Sequence, residues 1–254
     1  MSVVLIEKPT PQVAIITLNR PERRNALTMQ LLNELMSAIK VVSDESRERV
    51  LILRGAGDAF CAGLDLKEAA DLRKAAATAE LVGQTLVALS QTRLITIAAV
   101  HGAAVAGGAG LMTACDFVVA AEGTKIGYPE VRRGLVAGLV MTFLRRQIRE
   151  RHLRELLFSG ELVDARRAHE VGLVNRVVAP EEVMNVAQEF AHSILQGAPS
   201  ALAQTKKLLA ELWPSSVKAD VEIALKHHMQ ARESAEAREG IAAFNEKRPP
   251  KWAG

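Results

Sequence analysis

Aromatic residues make up only 4% of this 254-residue chain, with a single tyrosine, although 49% of the chain is apolar. A core of that size must therefore be packed with alanine, leucine, valine and isoleucine, as layered α/β folds usually are. Cysteine is scarce: Cys61 and Cys115 lie in apolar segments without metal-ligand spacing. They read as reduced core residues of an intracellular, cytoplasmic protein, and no metal is expected. No apolar run reaches the roughly 18 residues of a membrane span. Met1 to Thr10 holds Glu7 and Pro9 and no long apolar stretch, so no signal peptide is expected. The formal charge of +3 is mild, which suits a small anionic ligand better than the concentrated basic face of a nucleic-acid binder. Nucleotide-binding signatures are missing too. No Lys-Ser or Lys-Thr follows the glycines at 102, 107, 108 and 110, and their spacing does not give Gly-x-Gly-x-x-Gly.

What is present is an alternation of strands and helices. Val3–Ile6 and Val13–Leu18 read as strands joined by a turn at Lys8–Gln12. Thr28 is placed to cap a helix whose apolar positions Leu31, Leu32, Leu35, Met36 and Ile39 follow a 3.6 period. Further strands are expected at Val50–Leu53, Ile95–Val100 and Phe117–Ala121, a helix start at Asp65, and an alanine-rich helix over residues 74–90. After Ala179 the chain turns almost wholly helical, over Glu181–Leu195, Ser200–Leu212, Val217–Ala231 and Ala235–Lys247. This pattern implies an α/β core followed by a helical C-terminal part.

Two loops carry the chemistry. In His101-Gly-Ala-Ala-Val-Ala-Gly-Gly-Ala-Gly-Leu-Met-Thr-Ala-Cys-Asp116 a buried strand breaks into small residues and restarts as a helix near Gly107. A helix start offers unpaired N–H groups with partial positive charge, fit for a phosphate or an oxyanion. Phe60-Cys-Ala-Gly-Leu-Asp-Leu-Lys-Glu68 repeats the arrangement after an earlier strand. If the loops lie side by side, the N–H groups of Leu64 and Gly107 converge on one oxygen and form an oxyanion hole.

These two segments, with Asn19-Arg-Pro-Glu-Arg-Arg-Asn-Ala-Leu-Thr28 upstream and Glu239-Gly-Ile-Ala-Ala-Phe-Asn-Glu-Lys-Arg-Pro-Pro250 at the tail, resemble the enoyl-CoA hydratase/isomerase (crotonase) superfamily across nearly the whole chain. The resemblance implies a spiral of ββα units over residues 1–195. It implies a helical trimerisation region over 196–254, and usually a hexamer of two trimers. The substrate it implies is an acyl-CoA thioester, with coenzyme A arriving as part of it and no separate cofactor. The thioester oxygen would sit between the Leu64 and Gly107 amides. Ala62, Asp65 and Leu66 match the loop around the adenine end of CoA, Arg24 and Ala26 its outer contacts, and Lys67 a phosphate. Phe244 and Lys247 match positions that in relatives reach a neighbouring subunit's CoA.

The acid–base residues depart from the family pattern. Hydratases of the best-known type carry two glutamates. The later one matches Glu130 in Tyr128-Pro-Glu-Val-Arg-Arg-Gly-Leu135, while the earlier falls on Gly110 and a third acidic position on Gly138. One carboxylate therefore remains, with Tyr128 beside it either lining the acyl pocket, orienting water or packing half-buried. Hydration of a 2-enoyl-CoA is the leading reading. The alternative is a 3-enoyl to 2-enoyl isomerase in which Glu130 alone shuttles the proton. If the missing carboxylate limits hydration, Gly110→Glu is expected to raise it; an unchanged rate would mean that Glu130 suffices. Seven arginines between Arg132 and Arg154 read as a solvated face or subunit interface, and support the remote alternative of RNA binding; a non-catalytic acyl-CoA binder is the other. Asp116 is expected to pin a loop, and His227-His228 to hold no metal.

Overall fold

The computed structural model describes residues 2–44, 47–65, 68 and 72–252. A six-stranded sheet is ordered β1 (Val4–Thr10), β2 (Val13–Leu18), β3 (Val50–Gly55), β4 (Ile95–Val100), β6 (Phe117–Ala121) and β9 (Arg176–Val178). Only the β1–β2 pair is antiparallel; every other pair is parallel. Strand β1 runs further than its apolar residues suggest, through Pro9. An edge strand tolerates a proline whose missing N–H faces no neighbour.

Alternate side chains along each strand go to opposite faces of the sheet. Ile16, Leu51, Leu53, Ala98, Val100 and Val118 join the main core. Ile15, Val50, Ile52, Ile97 and Val119 face the other way, against Val183, Ala187 and Ala191 of a covering helix, α7 (Val183–Leu195). Burial on both faces explains why these strands read as unbroken apolar runs.

A smaller sheet, β5 (Ala103–Val105), β7 (Lys125–Gly127) and β8 (Val163–Asp164), accompanies the first. Each turn of chain passes from the large sheet to a short strand and on to a helix: β4 to β5 to α3 (Gly107–Ala114), then β6 to β7 to the helical turn Pro129–Arg133 and α4 (Gly138–Leu144). An isolated bridge from Cys61 to Ala104 adds a further rung. This is the expected spiral of ββα units.

Around it lie α1 (Met29–Asp44), α2 (Leu72–Gln91), α5 (Glu150–Ser159) and α6 (Ala165–Glu170), followed after α7 by α8 (Pro199–Glu211), α9 (Val217–Arg232) and α10 (Ala235–Asn245). Thr28 does cap α1, its Oγ1 accepting from Leu31 N at 3.2 Å. The C-terminal helices do not stand apart: Val217, Val221 and Ala224 of α9 belong to the main core. Asp116 pins two elements at once. Its Oδ2 accepts from Thr96 N at 2.8 Å and from Lys206 Nζ of α8 at 2.6 Å.

Candidate active site

Several stretches of chain meet at a cavity of about 610 Å³. The first is the loop after β3. Gly63 takes φ +91°, a left-handed conformation that favours glycine, and a Cβ there would lie 2.8 Å from Val105 O and 3.5 Å from Gly107 N. The two small-residue loops therefore do lie side by side. Leu64 sits in a bridge with Leu27, fixed by Leu27 N donating to Gly63 O at 2.8 Å and Asp65 N donating to Leu27 O at 2.9 Å. That bridge uses the amides on either side and leaves the Leu64 N–H without an acceptor among the described residues.

The second stretch is the start of α3. Ala106 precedes it with φ 51° and ψ −120°, a strained conformation for a residue with a side chain, worth on the order of 1–3 kcal/mol. It is held on both sides: Ala106 N donates to Gly127 O at 2.9 Å and Ala106 O accepts from Gly110 N at 2.9 Å. The Gly107 N–H finds no acceptor among the described residues. Leu64 and Gly107 both line the cavity.

Glu130 is on the third stretch, in the helical turn after β7, and is 8% exposed. It lines the cavity with Leu135, Ala137, Leu139 and Val140, and its Oε2 has no hydrogen-bond partner among the described residues. Burial pushes its carboxyl up to about 7. A backbone hydrogen bond and the Arg133 guanidinium pull only part of the way back. Arg133 is held in turn under Phe244, 4.4 Å from the ring centre. A carboxyl poised near neutrality can both take and return a proton.

Arg23, Arg24 and Lys125 also line the cavity and are exposed, as suits anionic phosphates. The upstream loop is anchored by Asn25, fully buried at φ 54°, whose Nδ2 donates to Ala56 O at 2.9 Å and Ala59 O at 2.7 Å. Arg20 bridges Asp65 at 3.3 Å.

Of the residues expected from sequence, Arg24, Ala26, Ala62, Leu64, Asp65, Gly107, Glu130 and Phe244 all line this one cavity. Phe244 does so in its own chain. Leu66 and Lys67 lie outside the described residues. Tyr128 is not in the pocket wall: it is fully buried in the main core, where desolvation pushes its phenol far above the usual range. Lys247 is exposed at φ 55° and does not reach the cavity. The arginine run is not one solvated face. Arg133 lines the cavity, and Arg146 is buried against Asp220 at 2.8 Å and the Trp213 ring. Lys125, Arg133 and His228 are cavity residues that sequence reasoning passed over. His228 had a signal, since Val217, Val221, Ala224 and His228 fall at helical spacing on one buried stripe of α9.

Gly110 has a reason to be glycine here. A Cβ would sit 2.5 Å from Val140 Cγ1 and 3.5 Å from Leu86 Cδ1. The place of the second glutamate is an apolar contact, and Gly138 is closed off likewise by Ala224 O at 2.8 Å. A glutamate at 110 meets this apolar wall before it can act on water. Gly110→Glu alone overpacks the core and buries a charge, so its melting temperature should fall by several degrees. Paired with Val140→Ala, which removes the nearest atom but not the buried charge, it should recover part of that loss and raise the hydration rate.

A profile of the family described as "Enoyl-CoA hydratase/isomerase" matches residues 9–254. A Thermus thermophilus protein named for enoyl-CoA hydratase activity is 38% identical over 98% of this chain and 100% of its own length. The mevalonyl-coenzyme A hydratase of Aspergillus fumigatus is 35% identical over 98% of this chain and 94% of its own. The crystal structure of an enoyl-CoA hydratase from Mycobacterium avium superposes with a TM-score of 0.88 at 31% identity, covering 99% of both chains.

Proposed function

The chain belongs to the enoyl-CoA hydratase/isomerase family, and from that premise we propose that it adds water across the double bond of a 2-enoyl-CoA thioester. The observation that carries this reading is Glu130, a buried carboxyl poised near pH 7 in the wall of a cavity that two unpaired amides also line. The thioester oxygen lies between the Leu64 and Gly107 N–H groups. Glu130 takes a proton from water as its oxygen bonds to C3. The C2–C3 π electrons move toward the carbonyl, and charge collects on the thioester oxygen. The two amides stabilise that enolate-like state more than the substrate, and Glu130 then returns the proton to C2. Arg23, Arg24 and Lys125 receive the phosphates of CoA.

A second reading has its own observation. Val140 fills the place of a second carboxylate, so no side chain at 110 anchors an attacking water. Glu130 alone can carry a proton from C2 of a 3-enoyl thioester to C4 without water. Mass analysis in deuterated water separates the two. A 2-enoyl-CoA gaining the mass of water supports hydration; a 3-enoyl-CoA converted with only exchanged deuterium supports isomerisation. If neither substrate changes, both readings fail.

Among the described residues no group of His, Cys, Asp or Glu could hold a metal, and no helix is long and apolar enough to cross a membrane. Two buried, unbridged cysteines accord with a cytoplasmic setting. The exposed Leu208, Leu209 and Leu212 at α8, with Ile223 on α9, accord with trimer formation through residues 196–254.

A further inference from the structure

Arg133 stands three residues after Glu130 on the helical turn Pro129–Arg133. In a 3₁₀ turn, side chains three apart lie one above the other, and both residues line the cavity. Among the described residues the Arg133 guanidinium forms no ion pair or hydrogen bond; it rests instead on the Phe244 ring of α10. The main chain is fixed by the same helix. A Cβ at Gly240 would lie 2.4 Å from Arg133 O, and one at Gly134 2.5 Å from Glu236 O, so α10 and the turn touch backbone to backbone.

The other charges around the turn are engaged elsewhere or open to water. On the turn itself, Arg132 donates to Ser159 O at 2.9 Å and pairs with Glu161 at 3.5 Å. On α10, Glu239 is tied to Arg248 at 2.7 Å, while Glu236 and Arg238 are exposed. On α5, which also packs on the turn, Glu150 pairs with Arg154, Glu155 with Arg167 and His152, and Arg151 is exposed. In the cavity wall Asp65 is bridged to Arg20, and Arg23, Arg24 and Lys125 are exposed. Burial keeps His228 of α9 less basic than usual, hence neutral near pH 7. We propose that Arg133 is a positioning residue for the reaction: its guanidinium, held on the Phe244 ring, is the fixed counter-charge that favours the ionised form of Glu130. A charge in a partly closed wall is weakly screened, so it acts on the carboxylate without touching it. This rests on the reading of Glu130 as the proton carrier.

The infrared band of the protonated Glu130 carboxyl, assigned by its absence from Glu130→Gln, titrates this group in the substrate-free protein. Arg133→Met keeps the length and removes the charge, so Glu130 should titrate about one pH unit higher, and below the limb kcat/KM should fall about tenfold while its high-pH plateau is largely kept. Arg133→Lys retains a charge and should stay close to native. Phe244→Leu frees the guanidinium to swing into water and should shift the titration the same way by a smaller step. Native titration in Arg133→Met overturns the proposal, as does a shift in Arg133→Lys as large as in Arg133→Met. A KM raised equally at every pH with the limb unmoved also overturns it, and makes Arg133 a phosphate contact instead. Native titration in Phe244→Leu overturns the part given to the ring. The infrared titration needs no turnover, so a shift without reaction on any enoyl-CoA leaves this inference standing and sinks the hydratase and isomerase readings. Turnover with no shift does the reverse.

Discussion

Glu130→Gln should lower turnover by about 10²–10⁴-fold, with acyl-CoA affinity changed by no more than a few-fold, because it removes a proton carrier and almost no volume. Two pH effects should vanish or invert with it. The native enzyme needs Glu130 ionised to accept a proton, so kcat/KM should rise with pH and level off above about 7, where burial has pushed this carboxyl; the variant's residual rate should lack that limb. Stability should move the other way. A carboxyl titrating near 7 in the folded chain and near 4.5 when unfolded binds its proton more tightly in the fold. Its contribution is therefore full below pH 4.5 or so and is lost as pH rises through about 7. The shift corresponds to about 3 kcal/mol. Glutamine never ionises, so the variant should be more stable than the native protein at pH 8 by about that amount, and close to it at pH 5. Denaturant melts at both pH values read this directly. An equal difference at the two would mean that the native carboxylate is not forced to ionise in a dry pocket.

The same desolvation explains what could and could not be read from the amino acids. Unbroken apolar runs such as Ile95–Val100 announced strands buried on both faces, and Thr28 with its 3.6-period stripe announced α1. The strands of the small sheet are two or three residues long, too short for any period to register, so β5, β7 and β8 were invisible. Yet β5 and β7 deliver Gly107 and Glu130 to one cavity. That the loops of Leu64 and Gly107 meet at one cavity was legible because small residues mark both. The surroundings of Gly110 were not, since the atom that fills its space belongs to Val140, thirty residues on. Arg133 and Arg146 looked like their solvated neighbours because charge patterning says nothing of which arginine a fold turns inward. Tyr128 misled for another reason: it stands just before the helical turn Pro129–Arg133 that carries Glu130, where strand alternation no longer applies, and one side chain enters the cavity while the other enters the core.

Gly108→Ala should be the most damaging single methyl that can be added near the amide pair. A Cβ there would stand 2.2 Å from Cys61 O and 2.8 Å from the carbonyl carbon, contacts with backbone that no rotamer can relieve. Cys61 O already accepts from Val105 N at 3.0 Å, and Cys61 N donates to Ala103 O at 3.0 Å. These two bonds clamp the loop bearing Leu64 to the strand that feeds Gly107. The methyl must push them apart, so the separation of the two amides widens even where the chain still folds. Overpacking of this kind costs about 1–3 kcal/mol of stability. Catalysis should suffer more, because an oxygen held by one amide instead of two forgoes about 2.7–4 kcal/mol of transition-state stabilisation, or 10²–10³ in kcat. Arg23, Arg24 and Lys125, the proposed phosphate contacts, lie outside the clamp, so CoA affinity should persist. The infrared carbonyl stretch of a bound acyl-CoA gives the direct reading: lowered by two donors in the native protein, it should return toward its solution frequency in the variant. A folded Gly108→Ala protein that keeps both the native stretch and native turnover would mean that the amides of Leu64 and Gly107 do not act on one oxygen, and the enolate mechanism would lose its support.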